Sequence, residues 1–178
     1  LARSADLERH KDWQGLLNWA RQWARIEPSN ATAWFAQGRA YSEMKRYPDA
    51  IEAYRRNLQI EPGDVYALNN LGNAYRDGKR FREAMTAYRD AVQINPDYIP
   101  AWQNLGLTFY ALKGAAGVTL AIQQLRASDP ELAEAWHKLA IEFSLSRDLR
   151  VAQKAIGVLR GLDADKRRRM FEILFVNV

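Results

Sequence analysis

The sequence predicts an all-α fold: a right-handed superhelical solenoid of antiparallel helical hairpins, closed by a C-terminal capping helix. Three observations predict it. The chain repeats itself every 34 residues, each repeat carries apolar residues at helical spacing, and all but the last end near a proline. Trp34, Leu68, Trp102 and Trp136 stand 34 residues apart. So do Gly38, Gly72, Gly106 and Ala140, then Tyr41, Tyr75, Phe109 and Phe143, then Ala50, Ala84, Val118 and Ala152. Pro28, Pro62, Pro96 and Pro130 form a further column.

Each column has a physical reason. The large residues of the first half of a repeat recur on one side of a first helix. The glycine on that stripe lets a second helix approach closely, at about 1 kcal/mol of helix propensity, and the alanine twelve residues later is its small counterpart. Tyr54 and Tyr88 fill the space beside that contact. Proline ends the second helix because it has no N–H to donate and restricts the residue before it.

Taken in order, residues 1–30 fit the rear of an incomplete unit through Trp13, Leu16, Ala20 and Pro28. Trp13 and Trp23 are expected to face inward, and Trp19 to meet something upstream. Units follow at 31–64, 65–98, 99–132 and, in degenerate form, 133–166. Gln37 and Asn57 stand where small or apolar residues are usual, and Gly114-Ala115-Ala116-Gly117-Val118 departs from the pattern in the third unit. Residues 163–178 read as a helix with Met170, Phe171, Leu174 and Phe175 on one side. The expectation is a cap laid on the fourth unit, and the apolar end Phe175, Val176 and Val178 offers an alternative docking surface.

These columns resemble the tetratricopeptide repeat family, whose signature places Trp, Leu-Gly, Tyr, Ala, Phe or Tyr, Ala and Pro at these offsets. Leu68, Leu71, Gly72, Tyr75, Ala84, Tyr88, Ala91 and Pro96 carry the likeness best. Helical repeats that read RNA base by base run at about 35 residues and lack these columns.

Composition narrows the function. At 48% apolar residues the chain can afford a core. It has no cysteine, so disulfides and thiolate chemistry are excluded, without a choice between cytoplasm and periplasm. No stretch reads as a membrane-spanning run. The chain begins at Leu1 without a charged-then-apolar leader and reads as a partial or processed protein. The net charge of +5 is mostly interleaved with acids, as in Arg76-Asp77 and Arg89-Asp90, which speaks against a nucleic-acid surface. Lys166 to Arg169 form the one unbroken basic run.

No catalytic constellation is visible. His10 and His137 fall in separate units, so neither a triad nor a metal held by both is expected. Gly114-Ala115-Ala116-Gly117 lacks the Gly-Lys-Ser/Thr ending of a phosphate loop. The reading is a non-enzyme without cofactor or metal.

The resemblance implies a site instead. In the family, the first helices of successive units line a concave groove that holds extended peptides. At those offsets this chain has Phe35 and Arg39, then Tyr66, Asn69, Asn70, Asn73 and Arg76, then Gln103, Asn104 and Tyr110, then His137 and Lys138. Amides offer donors and an acceptor to a peptide backbone, and Arg39, Arg76 and Lys138 favour a partner with carboxylates. Asn73, Asn104 and Lys138 match three places of the set with which some members grip a terminal carboxylate, but Asn69 and Glu134 replace its other lysines, which argues against that use. The expected function is a bacterial protein-binding scaffold. The alternatives are self-assembly into homo-oligomers through the end helices, or the non-catalytic repeat region of a larger enzyme such as a trypsin-like peptidase.

Overall fold

A computed structural model describes residues 2–175, with side chains from Ser4. The fold is an all-α helical repeat, and no strand occurs among the described residues. Val176 and Val178, part of the expected apolar end, lie outside them. The helices group into two compact units, one up to Arg80 and one from Phe81.

The first unit holds α1 (Ala2–Arg9), α2 (Trp13–Ile26), α3 (Ala31–Glu43), α4 (Tyr47–Ile60) and α5 (Val65–Asp77). Side-chain caps start most of them. Asp12 accepts from the Gly15 N–H, Asn30 from Ala33, and Asp64 from Tyr66 and Ala67. The turns between paired helices share one device. Lys11, Lys45 and Lys79 adopt φ of 54°, 59° and 63°. The residue after each donates its N–H to a carbonyl five residues back, Leu7, Tyr41 or Tyr75. That is the closure of a Schellman-type C-cap, and its 34-residue recurrence makes α1 the first helix of a hairpin whose second helix is α2.

The glycine column works differently from the expected Gly–Ala contact. A Cβ on Gly38 would stand 2.6 Å from the Tyr54 ring, so the tyrosine itself fills the vacated space. Burial pushes the Tyr54 phenol above its ordinary pKa, and it stays protonated at neutral pH. Asn57, where a small residue was expected, is fully buried and donates to the Ala31 carbonyl at 3.0 Å. The tryptophans of α2 correct an expectation. Trp13 and Trp23 are only half-buried, and Trp23 packs on Trp19 with ring centroids 4.8 Å apart.

The second unit holds α6 (Phe81–Ile94), α7 (Ile99–Ser128), α8 (Pro130–His137), a π-helical turn (Lys138–Glu142), α9 (Phe143–Ser146), α10 (Leu149–Arg160) and α11 (Ala164–Phe175). By length and composition α7 could cross a membrane, contrary to the sequence expectation. Its backbone is broken at Gly114, with φ 64° and ψ 179°. The left-handed residue of the hairpin turn has moved one place on from the lysine column, so residues 99–113 and 115–128 are two helices joined by a single glycine. Trp102, Leu105, Phe109, Val118, Ile122 and Leu125 from both halves are buried in the protein.

The Trp and Pro columns turn out to be one device. The Trp34 indole donates to the Pro28 carbonyl at 2.9 Å, and the Trp102 indole to Pro96 at 2.8 Å. In the last repeat α8 starts at Pro130 itself, capped by Asp129, so the corresponding proline sits inside the helix. The Trp136 Nε1–H is left buried without a hydrogen-bond partner.

Helix α11 forms where the sequence placed it but docks elsewhere. Phe171 stacks on Trp102 of α7 at 6.1 Å, and Arg89 of α6 lies 5.2 Å over the Phe175 ring. These partners belong to the third and second repeats, not the fourth. Lys166 anchors the start of α11 3.4 Å from Asp129. The Asp129 carboxyl is held below its ordinary pKa by the Leu132 N–H, and further by Lys166.

Candidate functional site

In the first unit the predicted side chains converge on one cavity of about 580 Å³. Phe35 and Arg39 reach it from α3, and Tyr66, Asn70, Asn73 and Arg76 from α5. The 3.6-residue period explains the grouping. Arg39 follows Phe35 by four residues, and Asn70, Asn73 and Arg76 are three apart, so each set stays on one side of its helix. The Asn73 and Asn70 side-chain amides meet at 3.5 Å. Tyr54 is packed edge-on against Phe35 at 5.7 Å and closes the floor.

Asn69 does not share this surface. It is only 5% exposed, because its place on α5 turns it into the core beside Leu68 and Gly72. Asn69, expected on the binding wall, is a core residue instead.

The charges are also arranged differently. Beside the cations, Glu43 and Asp77 line the cavity. Arg39 is bound to Glu8 of α1 at 2.9 Å, with both side chains about one-third exposed. Arg76 lies 3.3 Å from Asp77. Glu8 is hidden in the sequence because residues 1–30 fit the rear of a unit. The lysine column at 11, 45 and 79 was the available signal that a first helix precedes Lys11.

In the second unit Gln103, Asn104 and Tyr110 are half-buried on α7. His137 and Lys138 sit where α8 passes into the π-helical turn. Lys138 reaches Glu134 at 2.8 Å; this hydrogen bond raises the lysine pKa and lowers that of the carboxylate. His137 Nδ1 lies 3.2 Å from Glu142 Oε1. Glu142 is another residue that a strict 3.6-residue reading would not have grouped with His137.

Residues 38–76 and 72–113 match the family model described as TPR repeat. No curated protein matches the sequence. Among solved structures the chain is similar to MamA at 20% identity and a TM-score of 0.61, covering 95% of this chain and 94% of that one. It is similar to pilF of Pseudomonas aeruginosa at 19% identity and a TM-score of 0.60, covering 99% and 85%. A mutant O-GlcNAc transferase of Thermobaculum terrenum matches at 24% identity and a TM-score of 0.60; 72% of this chain corresponds to 26% of that one. At such identities the likeness concerns the fold.

Proposed function

Since residues 38–113 are tetratricopeptide repeats, we propose that this protein is a non-catalytic scaffold that binds an extended peptide segment of a partner protein through the first helices of its repeats. The observation that carries the reading is the cavity of the first unit, where Phe35, Tyr66, Asn70, Asn73, Arg39 and Arg76 meet from two such helices. Rings give apolar contact at low conformational cost. The amides match the donors and acceptors of an extended backbone. The guanidinium groups can exchange their present carboxylates for those of a partner. Gln103, Asn104, Tyr110, His137 and Lys138 hold the corresponding offsets in the second unit and serve the same purpose in this reading.

Capture of partners by the full chain, with mass spectrometry, supplies a segment to titrate. Asn73→Ala should weaken its binding by about 0.5–1.5 kcal/mol, and Arg76→Glu by more, with circular dichroism unchanged. Undiminished affinity in both folded variants would remove this cavity from the binding site.

One observation favours self-association as a second reading. Trp19, Trp23 and Ile26 line a shallow cleft on α2, and Ile26 is 71% exposed. Light scattering at increasing concentration distinguishes a second copy on this face from a monomer.

A further inference from the structure

We propose that Glu134, His137 and Glu142 form a binding site for a divalent first-row metal ion of the zinc class. The argument begins with the π-helical turn. The Phe143 N–H donates to the Lys138 carbonyl five residues earlier, one more residue than an α-helical turn holds. In an unbroken α-helix, side chains five residues apart point about 140° away from each other. The widened turn removes that divergence and brings His137 Nδ1 to 3.2 Å from Glu142 Oε1. Glu134, three residues before His137, already shares its side of α8. One ligand atom from each of the three residues lies within 4.8 Å of the other two.

The donor set has a defined taste. One imidazole nitrogen and two carboxylate oxygens match the His and Asp/Glu ligands of zinc, at about 2.0–2.2 Å from the ion. Adjacent ligands around such an ion stand about 3–3.5 Å apart, given those bond lengths. The His137–Glu142 pair is already there, and the long, half-exposed Glu134 side chain can close the rest by changing rotamer. Without thiolates the site has no preference for soft ions. Its imidazole favours zinc over magnesium, and the affinity order of divalent metals favours it over manganese. Three protein ligands leave a coordination position open to water or to a carboxylate from outside.

Lys138 opposes the ion. Its ammonium lies 2.8 Å from Glu134 and must leave that carboxylate when the metal arrives. Sequence reading discounted metal binding because the two histidines are far apart. Here one histidine suffices, since both carboxylates come from the same helical segment. The proposal shares His137 and Lys138 with the peptide-binding reading but does not rest on it, because zinc is titrated in the absence of any peptide.

The test is calorimetric titration of zinc chloride into the tag-free, chelator-treated full chain. The expected result is one saturable site per chain, reversed by EDTA and not occupied by magnesium at the same concentration. His137→Ala should abolish the site and Glu142→Gln should weaken it at least tenfold. His10→Ala should leave it unchanged, and Lys138→Met should tighten it severalfold by removing the competing ammonium. Circular dichroism of each variant verifies the fold. A wild-type chain without saturable zinc binding, or binding that survives His137→Ala, overturns the assignment.

Discussion

Trp102 and Trp136 occupy the same column, are both fully buried, and differ in a single hydrogen bond. Replacing either with Phe leaves a similar gap. Only Trp102→Phe also gives up a bond to a backbone carbonyl, while Trp136→Phe removes a donor that has no partner. Trp102→Phe should therefore be the more destabilising by about 1–2 kcal/mol, measured as the difference in urea unfolding of the two variants. The identity of these columns was legible in the sequence because period and size are properties of residue type. Their partnerships were not. That the Trp indole bonds the Pro carbonyl and that Asn69 turns inward both depend on where a helix begins and how it is rotated. A shift of three residues in the start of α8 was enough to orphan Trp136 Nε1.

At the level of elements, periodicity located the helices and even the departure at Gly114, yet it did not foresee the irregular ones. A helix joined to the next by one left-handed glycine reads as continuous in composition. A π-helical turn leaves no mark on a pattern that was matched at 3.6 residues per turn. Helix α11 shows a further limit, because an apolar stripe reveals that a helix docks but not where. Its attachment rests on Phe171, 4% exposed and stacked on Trp102. Phe171→Ala should cost about 3–5 kcal/mol and lower the melting temperature on the order of 10 °C, followed by thermal circular dichroism. An unchanged melting point would mean that α11 contributes nothing to the second unit.

For the molecule as a whole, the 34-residue period carried the fold class, while the cations Arg39, Arg76 and Lys138 suggested more about an acidic partner than a sequence can support. A net charge counts cations; it does not say which are already engaged. Arg39 holds Glu8, Arg76 holds Asp77 and Lys138 holds Glu134. Glu8 in particular behaves as a ligand built into the chain, present at Arg39 at the effective concentration of a tethered group. A partner's carboxylate arriving there takes part in an exchange reaction, one ion pair broken for each ion pair made. Dissolved salt screens both sides of such an exchange nearly alike, so affinity at Arg39 should hardly change with ionic strength. Glu8→Gln turns the exchange into a simple attraction. A captured acidic segment should then bind up to about fivefold more tightly, from a pair worth at most about 1 kcal/mol, and its affinity should begin to fall as salt is raised. Titrations of the two proteins at low and high salt would separate a vacant arginine from one that the fold keeps in trade.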